Sequence, residues 1–335
     1  MKDKVLNNVD VAGYLRENNL ELKNTPKGRA IQGSVTIAFD NLNSIRVKVY
    51  ASEKSPQKGT ENKTFKSLLN LLPNHTTSIK DQLEANPSAT FDTVKDLVTK
   101  IAAHAEFREY AVKDDKGTVI SRTEVSLRNW FDSIHVCDPN KKYDVCAKFS
   151  VDAFIEKIRP ENKKTGDGDV EETGRYLITA ITPDYNGTMH RIEYVTEAGA
   201  VSEHIAANWR ERESVTMTGV VSNLMKVEQK AETTQFFGQA AVGTTTTTFI
   251  EERLIRGGSQ VSIDANDYEY NKAGFTDEDV KNGLISRESV IQKNTENRAA
   301  KGENSNSSTA TQPQQPVKDF GFNSTPAGGF DPKGF

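Results

Sequence analysis

The run IRVKVY, Ile45 to Tyr50, places Arg46, Lys48 and Tyr50 at alternate positions between Ile45, Val47 and Val49. Period two with β-branched residues predicts a strand. Two cations and one aromatic ring then share the face opposite an apolar row. Those types suit an unpaired nucleic-acid strand, which exposes base faces for stacking and a charged backbone for neutralisation. Lys23, Lys27 and Arg29 stand on the preceding hairpin, where they would border the same groove, and Tyr14 and Phe39 are further flat surfaces. Arg128 and Trp130 share a face of a later run. Trp130 reads either as a stacking platform or as barrel core, since Phe131 points the opposite way.

A second group lies near the middle of the chain: Arg175, Tyr176, Tyr185, His190, Arg191 and Tyr194, with Arg253 and Arg256 at the end of a later strand. Tyr176 shares a face with Ile178 and Ala180, which favours core, and the rest reads either as a site or as an ordinary polar face. Two loops, Ser52 to Thr60 and Glu228 to Thr248, bring Lys54, Lys58, Phe236 and Phe237.

Nothing comparable points to catalysis. His75, His104, His135, His190 and His204 have no metal-ligand spacing. No phosphate-binding Gly-x-x-x-x-Gly-Lys-[Ser/Thr], no Gly-x-Gly-x-x-Gly and no Gly-x-Ser-x-Gly elbow occurs. The acidic run Asp264 to Glu269 lacks the Gly and terminal Glu of a calcium loop. The expectation is a protein that is not an enzyme and takes no cofactor and no metal.

The elements that position these residues repeat in order. Val9 to Leu22, Ala30 to Phe39 and Ile45 to Tyr50 alternate as strands. Gly13 and Gly33 inside them mark bends or close backbone approach. Thr64 to Leu72 and Phe91 to Ala105 have helical spacing, the second with a stripe of Val94, Leu97, Val98 and Ile101. Strands return over Glu106 to Lys113 and from Val119 to about Val136. Then come Val145 to Ile158, a polar loop Arg159 to Glu172, strands Arg175 to Ile181 and His190 to Thr196, a helix Gly199 to Arg210, and strands Val215 to Val227 and Thr247 to Ile255. Three strands, helix, two strands is the order of an OB-fold, a five-stranded Greek-key barrel whose second and third strands bind oligonucleotides. The fold class is therefore mainly β: tandem five-stranded OB-fold-like barrels. The first occupies 1–140 with a helical insert at about 61–105, and the second 141–262. An acidic linker with a short helix follows at 263–292, and a disordered tail at 293–335. A five-stranded barrel of another topology is the structural alternative.

Bulk properties agree with part of the chain lying outside a core. Of 335 residues, 35% are hydrophobic, against roughly 45–50% apolar (glycine included) in ordinary domains. From about Lys293 the composition is Asn, Ser, Thr, Gln, Gly and Pro, too polar to order itself. Its tip KDFGFNSTPAGGFDPKGF nevertheless carries Phe320, Phe322, Phe330 and Phe335, spaced as in a partner-docking peptide. The net charge of −4 requires any cationic site to be local. Cys137 and Cys146 make no disulfide framework and no zinc pattern. No apolar run approaches the ~18 residues of a membrane span, and the N-terminus lacks an apolar signal region. A cytoplasmic protein without membrane contact is expected.

The opening stretch resembles bacterial-type single-stranded-DNA-binding proteins. The matching residues are Asn8, Val9, Val11, Gly13 and Leu15, then Glu21, Thr25, Pro26, Gly28, Arg29 and Ala30, over about 30 residues. The resemblance implies an OB-fold that coats single-stranded DNA in replication or recombination without strong sequence preference, and a tail that contacts replication or recombination proteins. The chain departs from that family in its helical insert, its second barrel and a tail tip where Lys318 and Lys333 balance Asp319 and Asp331; only Phe335 matches the family's terminus. The layout suggests a phage or mobile-element version, acting in the host cytoplasm. The rival reading is a phage structural or assembly protein built of β-barrels with a tethering tail. A third is an accessory factor of a helicase or polymerase that uses its barrels for protein contacts.

Overall fold

The computed structural model describes residues 6–55, 59–113, 118–128, 133–138, 143–164, 170–184, 187–230, 244–260 and 274–300. The first half contains β1 (Asn7–Asn18), β2 (Glu21–Thr25), β3 (Gly28–Ala38), β4 (Ser44–Ser52), helices α1 (Lys63–Leu69), α2 (Ile79–Ala85) and α3 (Phe91–Val94), then β5 (Lys100–Lys113), β6 (Val119–Leu127) and β7 (Ile134–Val136). β1 pairs antiparallel with β3 and β5, β3 with β4, and β5 with β6, while β4 and β6 run parallel. These five pairings close a barrel in OB order. Bending β1 between β5 and β3 takes a bulge at Leu15/Glu17 and a glycine at Gly13. A Cβ on Gly13 would lie 2.4 Å from the carbonyl oxygen of Ala38, so only glycine lets the two strands meet there. Gly33, at φ +136°, likewise sits against the carbonyl of Asn19.

The second half repeats this with β8 (Cys146–Lys164), β9 (Val170–Pro183), β10 (Met189–Thr196), α4 (Ala200–Asn208), β11 (Ser214–Lys230) and β12 (Thr244–Gln260). β8 pairs with β9 and β11, β9 with β10, and β11 with β12, and β10 runs parallel to β12. Even the register repeats. Tyr14 faces Ala38 and Phe154 faces Ile181, and in each strand a bulge follows one residue later, at Leu15/Glu17 and at Ile155/Lys157.

The barrels are joined strand to strand. β1 pairs antiparallel with β8 from Asn7↔Val151 to Ala12↔Cys146. The internally equivalent residues Val9 and Phe149 face each other there, so a pseudo-two-fold axis passes between them. Each barrel also rests its last hairpin on the other. The Glu109 N–H donates to His190 Nδ1 (3.1 Å), and the Asn223 N–H donates to Asn43 Oδ1 (3.0 Å). Phe107, Phe149 and Tyr194 meet at ring distances of 5.7–6.0 Å within one apolar core that spans both barrels. Asn7, fully buried, locks the junction by donating to the carbonyls of Phe107 and Pro183 and accepting from the Phe107 N–H.

Helices cover equivalent spots on the two barrels. α2 and α3 bury Ala38 and partly cover Tyr14. On the second barrel α5 (Asp277–Ala300) places Val280 and Leu284 over Phe154, Ile181 and Met189. Arg287 then pairs with Glu109 of β5, so this helix clamps the two barrels.

Several sequence expectations change in detail. Phe91 to Ala105 is not one helix. α3 ends at Val94 and β5 starts at Lys100, because from Ile101 onward Ile101, Ala103, Ala105 and Phe107 alternate into the barrel. Leu97, assigned to the helical stripe, is 65% exposed. The first strand ends at Asn18, and Glu21 to Thr25 forms the separate β2. The polar segment 159–172 is mostly an extension of the β8–β9 hairpin, paired out to Lys164↔Val170. The segment 228–248 is paired at its base, out to Lys230↔Thr244. The short helix expected near Thr276 runs to Ala300, into the segment expected to be disordered, with Ala, Glu, Arg and Lys supplying helix propensity. The tail residues Phe320, Phe322, Phe330 and Phe335 and the acidic run Asp264 to Glu269 lie outside the described residues.

Candidate nucleic-acid interface

On the first barrel, β4 alternates as its sequence requires. Ile45, Val47 and Val49 are buried, while Arg46, Lys48 and Tyr50 face outward, Tyr50 at 58% exposure. Their partners across β3 are Thr36, Ser34 and Gln32, none of them charged. Arg46 Nε donates to Ser34 Oγ at 2.9 Å and makes no ion pair among the described residues. The Lys48 ammonium sits 5.5 Å from the ring centre of Tyr110 and 3.0 Å from Glu124. Tyr110 itself faces Arg122 across β5 and β6. The result is a row of cations and rings with one carboxylate, open to solvent.

The hairpin β2–β3 borders this row. Lys27 is exposed at its tip, Lys23 pairs with Glu21 at 2.8 Å, and Arg29 pairs with Glu53 above the ring of Phe65. The hydrogen bonds that Arg29 donates to Glu53 hold its guanidinium above its ordinary pKa. Tyr14 and Phe39 are not open platforms. Tyr14 meets Phe91 edge-on at 5.8 Å and lies under the Lys100 ammonium, and Phe39 packs on the main core. Arg128 is also corrected: it is 5% exposed and satisfies buried Glu106 and Asn8. A cation that reads as outward-facing in the sequence is turned inside, toward a carboxylate that Arg108 also binds. Trp130 and Tyr185 lie outside the described residues.

The second barrel treats its predicted cations differently. Arg175 is gripped by Glu161 at 2.8 Å and by Glu252 at 2.7 Å, Arg191 by Glu156 at 2.6 Å, and Arg256 lies 3.4 Å from Glu197. Arg253 pairs with Glu251 and lies over the ring of Phe107. Tyr194 is 1% exposed; burial pushes its phenol up, and its hydroxyl is within 3.2 Å of Thr182. It is core, not a stacking platform. By register, the position of Arg46 is taken by Glu193 and that of Lys48 by Val195. Glu193 is itself bound by Arg159 at 2.9 Å. Each of these arginines therefore has a carboxylate partner among the described residues.

A family model described as YorF matches residues 5–297. The chain belongs to the YorF family. No curated protein matches it. Among solved structures, it is similar to the wild-type single-stranded DNA binding protein from Thermus aquaticus, with 11% identity and a TM-score of 0.42 over 79% of this chain and 97% of that one. A deletion mutant of the Thermus aquaticus protein gives 11% and 0.41 over 79% and 98%. A replication protein A heterotrimer bound to ssDNA gives 9% and 0.21 over 86% and 70%.

In this YorF-family chain, reading the sequence missed Tyr110 and Arg122. Both are visible as the outward positions of β5 and β6, but Tyr110 was assigned no role and Arg122 none, because the parallel pairing of β4 with β6 that brings them beside Lys48 has no local signal. Among the described residues no cluster of three metal-ligating side chains occurs, and no helix is long and apolar enough to cross a membrane. Both cysteines are free, and burial raises the pKa of each.

Proposed function

We propose that this chain binds single-stranded DNA along the outward face of β3 and β4 of the first barrel, without strong base preference. The observation that carries this reading is the open row Arg46, Lys48 and Tyr50, set over uncharged β3 partners and beside Tyr110. A ring on such a face stacks on any base, since every base has a π surface, and the two cations neutralise phosphates. The overall charge of −4 does not oppose this, because the local field governs approach. The hairpin carrying Lys23, Lys27 and Arg29 forms one bank of the path. Coating of single strands exposed in replication or recombination is the activity that such a face serves.

The test is fluorescence anisotropy of labelled oligo-dT with the full chain at two salt concentrations, against duplex DNA and single-stranded RNA competitors. Binding should weaken with salt by ~0.7 log units per contacted phosphate for each tenfold rise, and duplex should fail to compete. Absence of binding at micromolar protein and low salt ends this reading and favours a barrel-built assembly protein.

A further inference from the structure

Between α4 and the end of β12 lies a pocket of ≈ 240 Å³, on the second barrel and independent of the first-barrel face. Ala200, Val201, Ile205 and Trp209 form its apolar wall, and Gly257 and Gly258 its floor. Trp209 lies flat against Gly258, where a Cβ would come within 2.9 Å of the indole. His204 and Arg256 stand at the rim. The Trp209 indole N–H is buried with no acceptor among the described residues. Arg256 is half exposed and, among the described residues, is paired with Glu197 at 3.4 Å, which leaves guanidinium N–H groups for a second carboxylate.

The volume falls below the roughly 300–1,000 Å³ of small-molecule sites, which suits one large side chain rather than a cofactor. The apolar wall and the Arg256 rim thus suit an aromatic residue flanked by a carboxylate. This chain contains that chemistry. Beyond Ala300, Lys318 to Phe322 reads KDFGF, with Asp319 directly before Phe320 and glycine after it. We propose that this segment docks on its own second barrel, with the Phe320 ring in the pocket and Asp319 on Arg256. The segment is covalently tethered to the barrel through Ala300, so its docking is an intramolecular step.

The test uses the full chain with a photo-crosslinking phenylalanine analogue at Phe320 and, separately, at Phe330, without nucleic acid. The expected adduct joins position 320 to 199–209 or 256–258 of the same chain. Ala200→Trp, which fills the pocket, and Arg256→Glu should each lower its yield about tenfold, as expected for losing roughly 1.4 kcal/mol of docking. Arg256→Glu lies on the surface and stays informative if Ala200→Trp fails to fold. An adduct that either folded variant leaves untouched overturns the proposal. So does an adduct elsewhere, one formed only from Phe330, or one between chains. Because no DNA is present, none of these outcomes bears on the first-barrel site.

Discussion

The two barrels share strand order, register and bulge position, yet their outward faces carry opposite chemistry. In the first, Arg46 is free of ion pairs among the described residues and Tyr50 is open. In the second, the position of Arg46 holds Glu193, and every predicted arginine described there has a carboxylate partner. An arginine closed in by carboxylates is structural, because a phosphate must displace a bonded partner to reach it. Under the proposed function, duplication of the fold leaves the first barrel to meet the ligand, while the β1–β8 pairing, the hairpin exchange and α5 join it to the second.

The largest effect should come at the axis where the comparison originates. Phe149→Ala removes a ring that touches Phe107 and Tyr194, at a cost of roughly 3–5 kcal/mol. Urea melts should show one shifted transition for the whole molecule. Two separate transitions would mean that the barrels are independent and that bracing is the wrong description. Next in size is Arg46→Glu with Lys48→Glu, expected to weaken oligo-dT binding on the order of a hundredfold and to flatten the salt slope by ~1.4, the share of two phosphates. Arg175→Ala, the matched lesion in the second barrel, should change affinity less than about twofold while lowering stability. If Arg175→Ala weakens binding as much, the division of labour between the barrels fails. Tyr50→Ala should cost ~1–3 kcal/mol of binding, the worth of one stacked base, with Tyr50→Phe near wild type.

How much of this contrast the sequence carried depends on the range of the interactions. The β4 alternation is local, so the outward set Arg46, Lys48 and Tyr50 was legible from six residues. The OB strand order was legible for the same reason, element by element. Arg128 was misread because its partners Glu106 and Asn8 come from other strands, Asn8 being 120 residues away. Arg175 stays open in the sequence between a site and a polar face because its partners Glu161 and Glu252 lie on β8 and β12, with no shared sequence window. The 91–105 segment failed differently. Val94, Val98 and Ile101 are all buried with helix-like spacing, but they fall in a short helix, a loop and a strand in turn. Periodicity over so few residues does not distinguish one buried stripe from three separate anchors. The β1–β8 junction pairs residues with no local signal at all.

The smallest predicted effect tests the brace by pH. Glu109 receives hydrogen bonds from Arg287, from Ser121 and from the Arg191 N–H. Burial pushes its carboxyl up, but those bonds and the Arg287 charge outweigh it, so the folded value lies below the ordinary one. Asp184 behaves alike: burial opposes ionisation, and His190, the Thr188 N–H and Arg108 more than compensate. Both groups sit where the first barrel's hairpin docks on the second. A depressed carboxyl contributes stability that is complete above its unfolded value, near pH 4, and is lost as pH falls through the lower folded value. Urea melts from about pH 6 down to about pH 3 should therefore show stability falling with acid. In that window the slope reports the protons that unfolding releases or takes up, and Glu109→Gln should remove up to one proton from it. Among the described residues, α5 packs against the second barrel and against β5 of the first, so the clamp joins the two. A Glu109→Gln slope equal to wild type would show that the clamp is not closed in solution, and the bracing role would then rest on the β1–β8 pairing and the shared aromatic core.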